Sequence, residues 1–311
     1  MQNNKVLVCG IISESPVKRI INELVHMNIP VVVYYQRQVE YTSISYKIKK
    51  DVKGKMNMQG AGFNLDEIGG VYTRLIDDRV LPELKNETEN SASLKYSLSF
   101  HQLLSQWMEI TNATVINKAS AMQSNGSKPF QAQYIRESGF YIPETLITTE
   151  PENVLSFRQQ HRRIIFKSMS GIRSIVREFA DDDVDRLHLI KNCPLQFQQY
   201  IDGFHVRVHV IGHRTIATSI HSDATDYRYA SSYGKTARLS AYKLNDDLAE
   251  RCVTLSRNLE LNFSGIDLKF SPDGKIYCFE VNPSPGYSYY EANTGQPIAG
   301  ALAEYLSGKT M

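Results

Sequence analysis

The stretch GIDLKFSPDGKIYCFEVN, residues 265–282, holds two apolar runs broken by Ser271-Pro272-Asp273-Gly274. Pro and Asp-Gly at those places favour a tight reversal, so the runs are expected to form an antiparallel hairpin. Successive side chains on a strand point to opposite faces, which puts Glu280 and Asn282 together in a run otherwise apolar, with Ile276, Tyr277, Phe279 and Val281 among its members. Asp267 stands on the partner run between Ile266 and Leu268. Three oxygen-bearing side chains then converge on one sheet surface. Carboxylate and amide oxygens suit a hard cation such as Mg²⁺, which keeps positions open for phosphate oxygens. A strand pair with a solvent-facing polar side carries the same alternation, so the neighbouring sequence has to decide.

Upstream, HVRVHVIG (205–212) and TIATSIHS (215–222) flank Gly212-His213-Arg214 and are expected to pair. Val206, Val208 and Val210 supply the core contact, which turns His205, Arg207 and His209 toward a solvated cleft or a ligand. The guanidinium of Arg207 matches phosphate geometry bidentately. No Cys and no HExxH accompanies His205, His209 and His213, and Arg207 stands between two of them, which argues against zinc. Earlier still, IIFK (164–167) is an apolar strand ending on Lys167, followed by SMSG (168–171). A lysine so placed meets phosphates while loop N–H groups complete the cradle; a surface lysine at a strand end has the same pattern. Helices are expected over 181–190 and 246–259.

At the other end, KVLVCG (5–10) reads as a buried strand. A helix follows, with Ser13 or Ser15 as cap and Pro16 in its first turn. Its apolar positions Val17, Ile20, Ile21, Leu24 and Val25 share one face. With IPVVVYY (29–35) as a second strand, the β-α-β unit implies a parallel, doubly wound sheet. The first turn, GIISES, lacks the G-x-G-x-x-G that lets backbone approach a pyrophosphate, so it reads as structural. Further strands are expected around 41–49, 71–75 and 113–117, with a helix over 86–110. The polar stretch AMQSNGSKP (121–129) is the linker into a helix stopped by Gly139.

The composition, 42% hydrophobic and 22% charged over 311 residues, is globular, with length for two or three core-forming units. A net charge of +2, from 35 basic and 33 acidic residues, gives no basic excess for nucleic acid. Cys9, Cys193, Cys252 and Cys278 form no CxxC pair, which points to reduced thiols and a cytoplasmic location. The apolar N-terminal segment from Lys5 to Ile12 is too short to span a bilayer, and Asn3 and Asn4 supply no basic start for a signal peptide. No membrane partner is expected.

The order of features is more telling than any one of them: Lys128 before a helix, Lys167 after a strand, QQYI at 198–201, Arg207, then Asp267, Glu280 and Asn282. In this order the chain resembles the ATP-grasp superfamily. Its closing GIDL…FEVNPSPG is similar to the metal-binding signature of the RimK-like glutamate ligases, and in order and length it resembles the microviridin-type (graspetide) peptide ligases of that group. The resemblance covers nearly the whole chain and is most specific in the C-terminal motif. It implies an α/β (α+β) ATP-grasp fold: an N-terminal doubly wound pre-ATP-grasp domain at 1–120, a central subdomain with phosphate loop and hinge at 121–202, and a C-terminal subdomain with the metal site at 203–311. It implies ATP and Mg²⁺, as two ions. Lys128 and Lys167 correspond to lysines on the ATP phosphates, and Ser168, Ser170 and Gly171 to the phosphate-covering loop. Gln198, Gln199, Tyr200 and Ile201 correspond to the hinge that holds adenine. Arg207 and Lys167 correspond to the catalytic cations, and Asp267, Glu280 and Asn282 to the metal ligands. His205 stands where these enzymes usually place an acid that binds ribose hydroxyls; an imidazole also hydrogen-bonds a hydroxyl, and Asp202 is the alternative. Residues 172–181 are fewer than the leader-docking hairpin of the macrocyclases uses.

On the acceptor side, Asp223, Asp226, Arg228, Lys235 and Arg238 lie in a Tyr- and Ser-rich stretch. It reads either as a substrate loop, with Arg228 or Lys235 on a carboxylate or phosphate, or as a solvated loop. Tyr287, Tyr289 and Tyr290 either wall the acceptor pocket or are core. The expected activity is an ADP-forming carboxylate–amine ligase working through an acyl phosphate. Its partners are a small-molecule or peptide carboxylate and a nucleophile on an amino acid, metabolite, peptide or carrier protein, and the resemblance implies a homodimer. The alternatives are a macrocyclase making side-chain ester or amide links in a ribosomal precursor peptide, and a small-molecule kinase. A nucleotide-binding module without turnover would not need Lys167, Arg207, Asp267, Glu280 and Asn282 together.

Overall fold

The computed structural model of the chain describes residues 5–168, 176–222 and 236–309. β1 (Lys5–Gly10), α1 (Ser15–His26) and β2 (Val31–Tyr35) are followed by an antiparallel meander, β3 (Thr42–Ile48), β4 (Val52–Met58) and β5 (Ala61–Asn64). β6 (Ile68–Arg74), α2 (Ala92–Ile110) and β7 (Thr114–Ile116) complete a parallel sheet in the order β2-β1-β6-β7. Alternation along β1 sorts its core. Val6 and Val8 pack with Val17, Ile20 and Leu24 of α1, whereas Leu7 and Cys9 pack with Phe100, Leu104 and Trp107 of α2. Helices therefore cover both faces, as a doubly wound sheet requires.

Local chemistry moves some boundaries from their expected places. β2 starts at Val31, because Pro30 has no N–H for the ladder. Neither Ser13 nor Ser15 caps α1: the N-cap residue is Glu14, whose carboxylate does not reach the helix but meets Arg74 at 2.6 Å. α2 starts at Ala92 rather than near 86, where Ser91 Oγ accepts the Leu94 N–H at 3.3 Å.

α3 (Ala119–Met122) and α4 (Lys128–Glu137) lead into β8 (Thr145–Thr148), α5 (Pro151–His161), β9 (Ile164–Ser168), β10 (Arg177–Glu178) and β11 (Leu195–Gln199). These strands form an antiparallel sheet in the order β10-β9-β11-β8. The helix expected over 181–190 is a 3-10 helix, Asp181–Asn192. Val184, Leu187 and Ile190 recur every third residue, the period of that tighter helix, and so all three reach the core that holds Phe179 and Phe197.

The largest sheet follows: β12 (Phe204–Ile211), β13 (Arg214–Ser222), β14 (Ala237–Tyr242), then, after α6 (Asp246–Asn258), β15 (Phe263–Phe270) and β16 (Ile276–Asn282). It is antiparallel, in the order β14-β13-β12-β15-β16. Val206, Val208 and Val210 pack with Leu248, Cys252 and Leu255 of α6, which leaves the opposite face of the sheet to the site. Gly203, at the entry to β12, has φ +123°, and a Cβ there would strike the Phe270 carbonyl, so glycine is required where the chain passes from one sheet to the next. α7 (Ser288–Thr294) and α8 (Ile298–Leu306) close the chain. α8 returns to the first sheet, where Leu302 and Leu306 join Val17, Ile20 and Phe263 in one core. No helix among the described residues is long and apolar enough to cross a membrane.

Candidate functional site

Arg207, Asp267 and Glu280 lie side by side on three neighbouring strands. The pairing of β12 with β15 sets Arg207 opposite Asp267, and that of β15 with β16 sets Asp267 opposite Glu280 and Gly265 opposite Asn282. Directly opposed residues hold their Cβ atoms about 5 Å apart, so one cation and two acids form a row across the sheet. Beyond Asp267 the register shifts: Leu268 opposes Cys278, and Phe279 is the extra residue of a bulge. Simple alternation would have put Cys278 on the face of Glu280. The bulge sends Cys278 and Val281 both into the core beneath the sheet and keeps Glu280 and Asn282 off it.

Arg207 is buried and held from three sides. Its Nε lies 3.0 Å from Asp267 Oδ1 and 3.3 Å from the Tyr290 hydroxyl, and Nη1 donates to the Gly265 carbonyl at 2.9 Å. A Cβ at position 265 would sit 2.5 Å from Nη1, so glycine makes room for the guanidinium. Glu280 forms an ion pair with Lys128. Burial pushes its carboxyl up, but the charges of Lys128, Lys167 and Arg207 outweigh that and hold it below the ordinary glutamate value. Glu280 is therefore ionised at neutral pH. The Asp267 and Glu280 side chains keep 22% and 28% exposure, so a ligand can reach them.

α4 contributes two contacts to β16. Lys128 and Gln131 are three residues apart and so lie on one side of the helix. β16 is the edge of its sheet, and Gln131 covers that edge: Nε2 donates to the Val281 carbonyl at 2.7 Å, and the Val281 N–H donates to Oε1 at 3.1 Å. One amide side chain thus replaces a further strand at the residue between Glu280 and Asn282. Gln131→Leu would strand two buried backbone groups at about 1–3 kcal/mol each, so we expect denaturant unfolding to show a loss of roughly 2–6 kcal/mol. Unchanged stability would mean that β16 does not need this clamp.

Two further residues hold the ends of the same strands. Asn117 Nδ2 donates to the Phe263 and Pro283 carbonyls, both at 2.6 Å, while its Oδ1 accepts the Phe263 N–H at 3.1 Å. Arg74 Nη1 donates to the Ser284 carbonyl at 3.1 Å and to its hydroxyl at 2.9 Å, with Glu14 on the other side of the guanidinium. Asn282 Oδ1 in turn accepts the Ser284 N–H at 2.9 Å. The roles of Gln131, Asn117 and Arg74 leave no mark in the sequence pattern; the spacing of Gln131 from Lys128 is the one usable signal.

On the second sheet, Lys167 opposes Gln196, and Gln198 follows on the same face, while Phe197 turns into the core. Gln198 is buried. Its Nε2 donates to Thr145 Oγ1 at 3.0 Å, and its Oε1 has no hydrogen-bond partner among the described residues. Gln199 ends β11 with its N–H on the Glu144 carbonyl at 2.9 Å, and Ile201 is buried. The Tyr200 ring meets two cations, the Arg163 guanidinium at 3.7 Å and the Lys269 amine at 5.1 Å. Lys269 lies opposite His205. Burial lowers its amine to about 8, against an upward pull from Asp202.

Other expected residues are placed differently. The His-Arg-His stripe does not face a ligand throughout. His209 is fully buried, with its ring 6.1 Å from Phe263 and 5.0 Å from Tyr290. Burial, then the Arg207 charge, holds it well below the usual histidine value, so it is neutral. His205 is half-buried, and His213 is exposed at the far end of β12. Tyr287 is core rather than acceptor wall: it is fully buried, and its hydroxyl donates to the Pro16 carbonyl at 2.7 Å. Tyr289 is exposed, and Tyr290 lies against Arg207. Ser168 ends β9, half-buried. Ser170, Gly171, Arg228 and Lys235, with Asp223 and Asp226, lie outside the described residues.

The profile of the RimK-like ATP-grasp domain matches residues 128–306, more than half of the chain. A probable alpha-L-glutamate ligase of Aliivibrio salmonicida (strain LFI1238) is 24% identical over 209 residues, covering 64% of this chain and 68% of that protein. Over its whole length the fold is similar to that of a Chryseobacterium gregarium RiPP-associated ATP-grasp ligase, solved with ADP and a leader and core peptide. The TM-score is 0.81 at 20% identity, covering 99% of this chain and 98% of that one. It is similar also to the ATP-grasp ligase PsnB, solved with a phosphomimetic variant of minimal precursor, Mg and ADP, with a TM-score of 0.79 at 23% identity and 99% of both chains covered. At those identities the solved structures speak for the fold, which is the expected α/β ATP-grasp one. The chain belongs to the RimK-like ATP-grasp family, and with it to the ATP-grasp ligases.

Proposed function

We propose that the chain activates a carboxylate with Mg-ATP and passes the acyl group to an amine or hydroxyl. The row Arg207, Asp267 and Glu280, on an accessible face and flanked by the charges of Lys128 and Lys167, carries this reading. The donor set fits Mg²⁺: with Asn282 it is all oxygen, two carboxylates and an amide at neighbouring register positions, and Glu280 is ionised. Held by these three residues as two ions, the metal would neutralise the β- and γ-phosphate oxygens.

The protein's own groups do the rest. Arg207 and Lys128 are paired with the acids in the structure. With Mg-ATP bound, the acids would face the metal and the cations the phosphate oxygens, so that every charge would keep a partner. The Arg207 fork then steadies the phosphoryl group in transfer, with Lys167 beside it. A carboxylate oxygen of the substrate attacks the γ-phosphorus and the bond to ADP breaks. The nucleophile next attacks the acyl carbon, loses its proton, and inorganic phosphate departs. At the other end of the nucleotide, the unpartnered Gln198 Oε1 is suited to accept from the adenine amine, beside Gln199, Tyr200 and Ile201. The division at 1–120, 121–202 and 203–311 is part of the proposal, supported by one large sheet in each part.

A peptide substrate is a second reading. It is supported by the likeness to ligases solved with leader, core or precursor peptides, at TM-scores of 0.81 and 0.79. In that case the product is an ester or amide link within a precursor peptide. The test is phosphate release from Mg-ATP across panels of carboxylates, amines and Thr-, Ser-, Asp- and Glu-rich peptides, with product masses. One water lost per bond, with ADP and phosphate formed, is the expected result. A stable phosphorylated product would make the protein a kinase instead.

A further inference from the structure

Open parallel sheets commonly bind their ligands outside the carboxyl ends of the strands. In the first sheet of this chain, Arg74 ends β6 and Asn117 follows β7, the strand beside it. Both side chains reach one turn of the largest sheet. Asn117 Nδ2 donates to the Pro283 carbonyl at 2.6 Å, and Arg74 Nη1 to the Ser284 carbonyl at 3.1 Å and, at a longer 3.4 Å, to the Pro285 carbonyl. Three successive carbonyls, directly after Asn282, are thus held by the edge of another sheet. β16 ends at Asn282, so no ladder of its own fixes this turn.

The turn in its own right fixes Asn282. The Ser284 N–H donates to Asn282 Oδ1 at 2.9 Å, which leaves that oxygen a second lone pair for a cation. The Ser284 hydroxyl accepts from Arg74 Nη1 at 2.9 Å, so one nitrogen grips both oxygens of the residue that aims Asn282. Behind Arg74, Glu14 Oε1 accepts from Nε at 3.0 Å and from Nη2 at 2.6 Å, which fixes the plane of the guanidinium. On the other side of the turn, a Cβ at position 265 would lie 2.7 Å from Pro285 Cβ, so Pro285 rests on the residue paired with Asn282.

Resting on the metal reading above, we propose that Arg74, backed by Glu14, is a positioning residue for Mg²⁺: through Ser284 it aims Asn282 Oδ1, so that the first sheet takes part in the metal site without supplying one of its three ligands. The three held carbonyls and the Ser284 N–H on Asn282 Oδ1 carry the inference. With the turn released, the amide would no longer be preorganised toward the ion. Groups that orient a metal ligand from behind are typically worth about 10–100-fold in metal affinity.

The test titrates ADP calorimetrically into the full chain and into Arg74→Met, each at saturating Mg²⁺ and each in EDTA, with a thermal melt of the same samples. The parent is expected to bind ADP more tightly with Mg²⁺. Arg74→Met should lose about tenfold or more of that gain, while its affinity in EDTA stays within about twofold of the parent's. An equal loss in both conditions, or no loss in either, overturns the proposal and leaves Arg74 as a tie between two sheets. Should Arg74→Met not fold, Arg74→Lys keeps a cation beside Glu14, yet an ammonium cannot reproduce the fork that serves Glu14 and Ser284 together. The gain from Mg²⁺ is expected to shrink in that variant too, and an unchanged gain overturns the proposal. A parent chain whose affinity for ADP ignores Mg²⁺ refutes the metal reading itself; a parent that responds, with the variant responding alike, refutes this inference alone.

Discussion

Glu280→Gln is expected to cut ATP-dependent phosphate release by at least about a hundredfold, the scale at which single preorganised electrostatic groups act in catalysis. The fold should survive. The amide has the shape of the carboxylate, so packing along β16 does not change, and Gln131 still holds the strand through Val281. The ion pair that is lost, with Lys128, joins two side chains 34% and 28% exposed, and such pairs contribute about 1 kcal/mol or less. What changes is the charge in the centre of the site. Lys128, Lys167 and Arg207 all act on Glu280, and a neutral side chain there removes a hard anionic ligand from the proposed Mg²⁺ set. Phosphate release at saturating Mg²⁺, with a thermal melt of the same sample, separates the two effects. Parental turnover in the folded variant would remove Glu280 from the metal site, and a collapsed melting transition would make it a structural residue.

How far the site could be read in advance depended on how local its causes are. The turn at 271–274 and strand alternation were enough to bring Asp267 and Glu280 together, and the valines of β12 were enough to turn Arg207 to the same side. The bulge at Phe279 was not legible, because Cys278 is small and apolar and fits either face; the core beneath the sheet decides its direction. His209 shows the limit most clearly. It alternates in phase with Arg207, yet Tyr290 of α7 covers it, and that helix follows β16, far along the chain. Tyr287 is buried by Pro16 and α1 from the opposite end of the sequence in the same way. The three-residue spacing of Val184, Leu187 and Ile190 matches the 3-10 helix over Asp181–Asn192. Gln131, Asn117 and Arg74 satisfy backbone groups more than a hundred residues away, at Val281, Pro283 and Ser284, and apart from the spacing of Gln131 from Lys128 nothing in the sequence pattern betrays a polar side chain in that role.

Arg207→Lys tests whether the site needs a charge or a shape. The substitution keeps the positive charge, yet we expect turnover to fall by about a hundredfold or more, because an ammonium cannot reproduce a planar fork. Arg207 reaches three groups at once, Asp267 at 3.0 Å, the Gly265 carbonyl at 2.9 Å and the Tyr290 hydroxyl at 3.3 Å. A lysine serves at most part of this set, and the buried Gly265 carbonyl left behind should cost about 1–3 kcal/mol in stability. The nucleotide dependence then identifies what the fork grips. If Arg207 steadies the phosphoryl group in transfer, the variant should bind ADP as the parent does and lose affinity for a non-hydrolysable ATP analogue. Equal losses for both nucleotides would place Arg207 in general support of the site, and parental turnover in Arg207→Lys would show that a point charge beside Asp267 suffices.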